Sequence, residues 1–592
     1  MRLNYLYIRF LKWRANNLSD AFFVLILSVL IGFFSGLAAG LLKYIVISIK
    51  YRLFEHYAEE GHIIILFFLP LIGILLTVMF LKYIVKDDVG HGVPRILYVI
   101  SQLDGSMRRH KIFSSLVGGS LTAGFGGSVG LESPIISTGA SIGSSIGQWL
   151  RLGYKHKTLL IGCGAAGAMA SIFTTPIAAV IFSFEVLMLD LSTASLIPIL
   201  LASVTGAVTT KMLTSEQYLV HFNVTNAFVI NDILYFILLG VIAGFVAVYF
   251  KFMHFRIIKL FSRFKSIWVK AIVGGTALGV LVYLFPPLYS EGYEGIRMII
   301  NGNAENLLDH TLLEGAGLFW ALLLFTTLLI LLKVIATTLT TEAGGVGGIF
   351  APAAVMGGFT GFTVSRGLNE LIPGINLHEG NFTLVGMAAV LGGVLMAPLT
   401  AIFLIAEMSN GYEIIVPLML STSIAFLIAR AYNKHSIFTQ TLADKGYMFK
   451  FRDKAVVKRI KIRDLLEKDV LVVSINSTLG DLVRKIKISK RNFFAAIDEQ
   501  GTFIGLILLD DVRKDMFNRR KYKDPVSDYL HVLMDDEKVS VQTDVQDVIN
   551  KFNKTNNYNM IVVDGNKYIG VVSRANLLKA YRDYMIADDE TY

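Results

Sequence analysis

Three short segments of this sequence combine glycines with a proline in surroundings that are otherwise apolar. They are Gly90 to Pro94 (GHGVP), Gly130 to Pro134 (GLESP) and Gly347 to Pro352 (GGIFAP). Glycine runs break helices and proline is tolerated in the first turn of a new one, so each segment predicts a helix start. A helix start carries about half a unit of positive charge and free N–H groups. The segments therefore predict a site for a dehydrated anion.

Glu132 is the acid within the second of these segments. A carboxylate aimed at an anion site occupies that site when ionised and leaves it when protonated, which would make Glu132 a pH-sensitive gate. The alternative is a structural acid paired with a distant arginine. Glu185 and Glu407 end two matching stretches, TPIAAVIFSFE and APLTAIFLIAE; this symmetry favours a helix-end role, and a function for Glu185 stays open. Glu342, just before the third segment, has no assigned role beyond capping a helix.

Long apolar stretches must position these segments. Of the 592 residues, 54% are hydrophobic and 17% are charged, and the mean hydropathy is +0.59. Several stretches are long enough to cross about 30 Å of hydrocarbon. They run from Ala21 to Ser48, Ile63 to Val85, Ile233 to Met253, Trp268 to Tyr289 and Leu318 to Leu339. The chain is therefore predicted to cross a membrane many times.

Charge and cysteine usage narrow the functional classes. The net charge of +10 is assigned to lysines and arginines at lipid headgroups rather than to a nucleic-acid partner, because no aromatic-basic motif accompanies them. Cys163 is the single cysteine, which excludes an intramolecular disulfide and a thiolate metal cluster. Basic residues before the first apolar stretch predict a cytosolic N-terminus: Arg2, Arg9, Lys12 and Arg14. Both termini are predicted to be cytosolic, with the chain in the cell (inner or plasma) membrane.

The membrane part of the sequence is duplicated. Residues 126–134 (GGSVGLESP) match residues 344–352 (GGVGGIFAP) at an offset of 218 (344 − 126), and Pro176 matches Pro398 at an offset of 222 (398 − 176). Glycine and proline breaks at corresponding places in two halves are typical of transporters whose repeats are inverted around a central substrate site. The sequence therefore predicts an inverted repeat with its anion site between the halves.

A second domain follows a change in composition near residue 450. Residues 1–447 form the predicted membrane domain, and the charged residues 448–592 form a soluble tail. Within the tail, residues 505–512 match residues 570–577 at an offset of 65 (570 − 505). Each unit reads as helix, strand, strand, helix, which predicts a small α+β fold in tandem. The units span about 458–521 and 522–592.

These motifs carry a resemblance that covers nearly the whole chain. GHGVP resembles the first selectivity motif of the CLC chloride channels and proton-coupled anion antiporters, and GLESP resembles the motif with their gating glutamate. GGIFAP is similar to their third anion-binding segment. The segment LGGVLMAPLTAIFLIAEMSNGY is similar to one that is characteristic of the second half of the family's membrane domain. The resemblance implies a polytopic α-helical membrane protein with an inverted internal repeat. It also implies a homodimer that conducts chloride, or a similar small inorganic anion, through a pore in each subunit.

The resemblance also implies roles for individual residues. Glu132 would be the gating glutamate, and the anion-binding positions would be Gly90, His91, Gly92, Val93, Gly130, Ile349, Phe350 and Phe438. Two of these depart from the family pattern. His91 stands where a pore serine is frequent, and Phe438 stands where a pore tyrosine hydroxyl is usual, so the preferred anion stays open.

A third departure concerns coupling to protons. Family antiporters commonly carry a proton-transfer glutamate immediately after the position of Glu185, and here that residue is Val186. The substitution favours a channel or an uncoupled conductor. The alternative is an H⁺/Cl⁻ exchanger with another proton route, for example through Glu185 or water.

The tail resembles a tandem CBS pair. The family pattern for adenine-nucleotide contact is kept by Ser573 and Asn576 in the second unit, whereas the first unit has Asp511 but Leu508 in the hydroxyl position. An adenine nucleotide is therefore a candidate ligand of Asp511, Ser573 and Asn576. A purely structural tail that supports dimer assembly is the alternative.

Other functional classes have less support. A CBS-bearing divalent cation transporter would need rings of carboxylates and carbonyls, and the membrane domain has three isolated acids beside its glycine breaks. No HExxH, GxSxG or comparable arrangement indicates catalysis, so the protein is not expected to be an enzyme. No cofactor and no metal site are predicted.

Overall fold

The computed structural model describes residues 14, 16–55, 65–87, 92–189, 191–214, 222, 228–309, 311, 313, 318–444, 460–533, 537–555 and 557–581. The chain divides into two compact units, residues 1–448 and residues 449–592. In their described parts, the first unit is helical and the second combines helices with two small sheets.

The first unit is a bundle of long and short helices. In chain order, helices α1 to α17 are Asp20–Lys50, Ile65–Met79, Gly92–Gln102, Lys111–Gly124, Glu132–Trp149, Tyr154–Phe173, Pro176–Glu185, Thr193–Leu213, Ile233–Phe261, Ile267–Leu284, Tyr293–Ile300, Leu318–Glu342, Phe350–Leu371, Glu379–Leu395, Pro398–Met408, Ile415–Tyr432 and Ile437–Asp444.

Seven helical stretches among the described residues are long and apolar enough to cross a membrane. They overlap all five stretches predicted from hydropathy, of which residues 63 and 64 lie outside the described residues, and they add 193–213 and 412–444. The stretch predicted to end at Tyr289 is shorter than expected: α10 ends at Leu284, because Pro286 and Pro287 cannot continue a helix. The prediction of a polytopic helical membrane protein is confirmed.

The glycine blocks interrupt the helices. Residues 125–131 separate α4 from α5, and residues 343–349 separate α12 from α13. Gly126 and Gly344, which are equivalent in the repeat, have φ of +93° and +100°. Glycine adopts these values without the steric cost that a side chain would incur. The backbone therefore turns at both places, and a new helix begins.

The two halves also pack their helices in the same way. Gly139 of α5 lies against Gly164 of α6, and Gly357 of α13 lies against Gly386 of α14. A Cβ on Gly139 would lie 2.1 Å from the Gly164 carbonyl oxygen, and a Cβ on Gly357 would lie 2.3 Å from that of Gly386. The paired positions differ by 218 (357 − 139) and 222 (386 − 164). The sequence repeat is therefore a structural repeat whose helices touch backbone to backbone.

The second unit contains two sheets, in agreement with the predicted tandem α+β tail. Helices α18 to α21 are Ile462–Leu465, Leu479–Ile486, Leu509–Val512 and Val545–Thr555. Strands β1 to β7 are Val472–Ser474, Phe493–Ile497, Phe503–Leu508, Leu530–His531, Lys538–Ser540, Asn559–Asp564 and Lys567–Ser573. The sheet orders are β1-β2-β3-β4 and β5-β6-β7. The short strands β1 and β5, which pair in parallel with β2 and β6, were not predicted because three residues are too few for a recognisable alternation.

The beginning of the tail packs into its second half. Ile462 and Leu465 of α18 share a core with Phe552 of α21. Glu467 donates its N–H to the Val571 carbonyl oxygen at 2.8 Å and accepts the Val571 N–H at 3.0 Å. Residues 460–467 are therefore part of the fold of the second α+β repeat.

Candidate functional site

The starts of α5 and α13 are joined through their backbones. The N–H of Gly130 donates to the Gly348 carbonyl oxygen at 2.9 Å, and the N–H of Gly348 donates to the Gly130 carbonyl oxygen at 2.8 Å. The two glycines are equivalent in the repeat, at an offset of 218 (348 − 130), and they pair antiparallel. An antiparallel bridge between equivalent residues relates the two halves by a local two-fold rotation. It places the first turns of α5 and α13 side by side.

Four helices begin at one cavity of about 90 Å³. They are α3, α5, α13 and α17, which are well separated along the chain. Each contributes two residues from its first turn or its N-cap: Val93 and Pro94, Glu132 and Ser133, Ile349 and Phe350, and Ile437 and Phe438. Helix starts present positive charge and unpaired N–H groups, so a cavity where four of them converge suits a small anion.

Glu132 is buried in the wall of this cavity, with 1% of its surface exposed. Neither of its carboxylate oxygens makes a hydrogen bond of normal geometry among the described residues, although the backbone N–H groups of Glu132 and Ala351 favour its charged form. Gly130 leaves the space for this side chain, because a Cβ there would lie 1.9 Å from Glu132 Oε2. An unpaired buried carboxylate is costly, so the arrangement suits a group that changes place or protonation state.

Two further polar residues line the same cavity. His254 comes from α9, and its Nδ1 lies 2.9 Å from the hydroxyl of Thr338 on α12. Glu342, to which the sequence assigned no role beyond capping a helix, is the last residue of α12 and also lines the cavity. The cavity wall therefore carries two acids. Glu132 directly follows the first glycine block (residues 125–131), and Glu342 directly precedes the second (residues 343–349).

The predicted anion-binding residues have different positions relative to the cavity. Gly92 and Gly130 contact residues that line it; Gly92 has φ of +30°, and a Cβ there would lie 1.7 Å from Ser133 Oγ. Gly90 and His91 lie outside the described residues. Four others line the cavity directly: Val93, Ile349, Phe350 and Phe438.

Glu185 is not among the described residues that line this cavity. It ends α7, and its carboxylate accepts the N–H groups of Leu399 at 3.2 Å and Thr400 at 2.7 Å, at the start of α15. Val186, which follows it, is buried with 6% of its surface exposed. The structure thus gives Glu185 a helix-capping position.

Sequence reasoning missed three charged groups near the start of α5. Glu291 accepts the N–H of Leu131 at 3.4 Å, and Lys43 and Lys333 are buried with 3% and 0% exposure. Lys43 and Glu291 act electrostatically on the Glu132 carboxyl group. A lysine inside a long apolar stretch is a functional candidate by default, and that signal marks both lysines. Glu291 lies between helices and has no such signal.

The candidate nucleotide residues make hydrogen bonds within the tail. The Ser573 hydroxyl donates to the carboxylate of Glu467, and the side-chain amide of Asn576 donates to the Leu465 carbonyl oxygen at 3.1 Å. In the first α+β repeat of the tail, Oδ2 of Asp511 lies 2.7 Å from Nε2 of His531. The polar groups predicted to meet a nucleotide are therefore engaged by the tail itself.

The family model described as voltage gated chloride channel matches residues 73–430, and the CBS domain model matches residues 462–518 and 526–583. A ClcB-like protein of Ralstonia nicotianae, named as a chloride channel protein, is 27% identical over 382 residues, which is 63% of this chain and 84% of that protein. An H(+)/Cl(−) exchange transporter ClcA of Yersinia pestis bv. Antiqua is 27% identical over 359 residues, covering 60% of this chain and 72% of that protein.

Among solved structures, a slow cyanobacterial Cl⁻/H⁺ antiporter superimposes with a TM-score of 0.62 at 23% identity. The similarity covers 73% of this chain and 99% of that one. At this identity the likeness concerns the fold.

Proposed function

The chain belongs to the voltage-gated chloride channel family, and we propose that it conducts chloride, or a similar small inorganic anion, through a pore in each subunit with Glu132 as the gate. The observation that supports this function is the convergence of four helix starts on the cavity that holds Glu132. No lysine or arginine is among the described residues that line this cavity. Neutral N–H donors would bind an anion without holding it as tightly as a buried cation would.

The N–H groups at the helix starts replace the hydrogen bonds that an anion loses when it leaves water. A bare ion in a medium of low dielectric constant costs tens of kcal/mol, on the order of the Born estimate, so the pathway must provide partners. The backbone amides of Ile349 and Phe350 are the proposed ligands, at the N-cap and first residue of α13. The ionised carboxylate of Glu132 competes with the anion for the same positive region. Protonation removes the charge of Glu132, and the anion then takes its place.

We propose channel-like or uncoupled transport because Val186 stands where an internal proton-transfer acid would be required. Glu185, the neighbouring acid, is held at a helix start by two N–H groups. The alternative, an H⁺/Cl⁻ exchanger with another proton route, has its own support, since several relatives at 26–27% identity bear that name. A liposome experiment separates the two: a chloride gradient drives protons uphill only through an exchanger.

The gate is tested by anion efflux from proteoliposomes across a range of pH and several halides. Glu132→Gln and Glu132→Ala are expected to conduct with weakened pH control, because neither side chain carries a charge that competes with the anion. Glu370→Gln, on the exposed end of α13, is the matched control and is expected to keep the wild-type profile. An unchanged pH dependence in both Glu132 variants would place the gate elsewhere.

We further propose a homodimer in the cell membrane with both termini cytosolic. The family assignment and the seven membrane-length helices among the described residues support this arrangement. The molar mass of the detergent-solubilised protein, corrected for bound detergent, would test the dimer. Labelling of single cysteines introduced in the tail, from either side of the membrane, would test the orientation.

For the tail, a structural role in assembly has more support than nucleotide sensing. The hydroxyl of Ser573 and the amide of Asn576 already have partners within the tail. Binding of an adenine nucleotide there would have to displace the carboxylate of Glu467. Titration of ATP and AMP into the full-length protein by calorimetry is expected to give no heat of binding. A saturable signal with either nucleotide would establish the sensing role.

Divalent cation transport, the remaining alternative, has no support from the family assignment. No group of three or more metal-ligating side chains occurs within the described ranges. Uptake of Mg²⁺ into proteoliposomes, which we expect to be absent, would test it.

A further inference from the structure

A cluster of charged side chains surrounds the start of α5 outside the anion cavity. Its members are Lys43 of α1, Glu291 between α10 and α11, and Lys333 of α12. The proposed conduction pathway does not use any of them directly. Their arrangement around Glu132 suggests what they control.

Lys333 fixes the position of the segment that carries Glu291. Its ammonium group donates to Ser128 Oγ at 3.0 Å, to the Ser290 carbonyl oxygen at 3.1 Å and to the Leu288 carbonyl oxygen at 3.4 Å. Ser128 belongs to the glycine block that leads into α5. Lys333 therefore ties this block to residues 288–290, directly before Glu291.

Glu291 and Glu132 share one helix start. Glu291 accepts the N–H of Leu131, the N-cap residue of α5, and Glu132 is the first residue of that helix. The Glu291 carboxylate acts electrostatically on the carboxyl group of Glu132. Two acids at one helix start compete for the same positive end.

Lys43 is a buried cation that acts electrostatically on both carboxyl groups. It is buried with 3% exposure, and its Nζ has no hydrogen-bond partner in the part of the chain that the structure describes. Lys50, seven residues and thus about two turns further along α1, pairs with Glu294, whose side chain is 56% exposed. The charges therefore extend from the buried gate to an exposed ion pair.

We propose that Glu291 and Lys43 are positioning residues that set the pH at which Glu132 leaves the anion cavity. The proposal rests on the proposed function of Glu132 as the gate. A negative neighbour favours the neutral form of a carboxyl group and a positive neighbour favours its charged form, so the two residues act in opposite directions. Other charged or titratable groups around the start of α5 belong to the elements that pack there or line the cavity: Lys50, His254, Tyr293, Lys333 and Glu342.

The test is chloride efflux from proteoliposomes, with the pH of half-maximal flux as the readout. Glu291→Gln removes a negative charge, so Glu132 ionises more readily and the midpoint is expected to fall by about one pH unit. Lys43→Met removes a positive charge, so the midpoint is expected to rise by about one pH unit. Lys43→Arg and Glu291→Asp keep the charges and are expected to keep the wild-type midpoint within a few tenths of a unit.

Measuring the variants both in the wild-type protein and in Glu132→Gln separates failure of this inference from failure of the proposed gate. If the gate is Glu132, flux in Glu132→Gln has little pH control, and adding Glu291→Gln or Lys43→Met to it is expected to cause no further shift. A merely structural role would shift the midpoints in the same direction or lower flux at every pH. Either outcome, or no shift in variants that elute as well-folded protein, overturns the inference. Failure of Glu132→Gln itself to alter the pH profile would instead overturn the proposed gate.

Discussion

Glu185 and Glu407 each cap the start of the helix whose far end carries the other acid. The carboxylate of Glu185 accepts N–H groups at the start of α15, while that of Glu407 accepts the N–H groups of Ile177 at 3.1 Å and Ala178 at 2.8 Å, at the start of α7. An acid at a helix start satisfies free N–H groups and interacts favourably with the helix dipole. The two acids are equivalent in the repeat, at an offset of 222 (407 − 185), so the caps are related by its symmetry.

The two caps predict matched effects on stability. Glu185→Ala and Glu407→Ala are each expected to lower the free energy of unfolding by about 1–2 kcal/mol, because N–H groups at a helix start lose their acceptor. Thermal unfolding in detergent measures the loss. If Glu185 instead carried protons, Glu185→Gln would change proton flux, whereas Glu407→Gln would not. We expect that neither Glu185→Gln nor Glu407→Gln changes proton flux or the pH profile of anion flux.

Gly130 is predicted to be required for the position of the Glu132 carboxylate. Gly130→Ala would place its Cβ 1.9 Å from Glu132 Oε2 and 3.0 Å from the Cβ of Ala351, so the carboxylate must move. Anion efflux from proteoliposomes is expected to lose most of its pH control. Gly367→Ala is the control, since a Cβ there meets no described atom within 4 Å and alanine favours a helix over glycine by about 1 kcal/mol. Wild-type gating in Gly130→Ala would contradict the geometry.

Lys333 is predicted to stabilise the membrane unit. Lys333→Met fills a similar volume but leaves the buried carbonyl oxygens of Leu288 and Ser290 without this donor. The expected cost is about 1–3 kcal/mol of unfolding free energy, seen as a lower melting temperature in detergent. Lys259→Met, at an exposed position on α9, should leave the melting temperature nearly unchanged. Equal melting temperatures for both variants would count against the prediction.

Phe438 is expected to influence anion preference. It lines the cavity at the start of α17 and offers no hydrogen-bond donor from its ring. Phe438→Tyr places a hydroxyl at this wall, and a hydrogen bond to a charged group contributes about 1.5–3 kcal/mol. Chloride flux relative to nitrate is expected to change by about tenfold, measured by competition in efflux assays. Phe438→Leu, which adds no donor, should leave the ratio close to that of the wild type.

Arg491 is predicted to hold the beginning of the tail in place. It pairs with the carboxylate of Glu467 and with Asp469, whose Oδ2 lies 2.8 Å from its Nε. Arg491→Ala is expected to speed amide hydrogen exchange of Val571, which bonds to the Glu467 backbone, by about tenfold at neutral pH. Hydrogen exchange of the full-length protein measures this rate.

The same pair predicts a pH dependence for that effect. The Arg491 guanidinium beside Asp469 holds the pKa of this carboxyl group below its usual value. A carboxyl group whose pKa is lowered by folding contributes stability above its ordinary pKa of about 4, and the contribution is lost as the pH falls through the lowered value. The difference between wild type and Arg491→Ala should therefore shrink in acid. A constant difference down to about pH 2 would assign the effect to packing alone.

Local features of the sequence determined the membrane class, the repeat, the helix starts and the paired α+β tail. Apolar length fixes which segments can cross a bilayer, and glycine and proline act on their own backbone, so their effects can be predicted from neighbours in the chain. This is why the starts of α5 and α13 could be predicted, whereas Ile349 and Phe350 were expected from the resemblance of GGIFAP to the family's third anion-binding segment. The departures at Val186 and Phe438 were likewise visible in the sequence.

The tertiary structure alone decided which distant side chains meet. Phe438 reaches the cavity of Glu132 from a helix about 300 residues further along the chain, and Glu342 joins the same wall. Lys43 and Glu291 lie near Glu132 because α1 and the segment before α11 pack near the start of α5. Electrostatic interaction depends on separation in space and on burial, and neither is encoded in a local motif. For this reason Glu132, the proposed gate, could be found by its motif, whereas the charges that act on it could not.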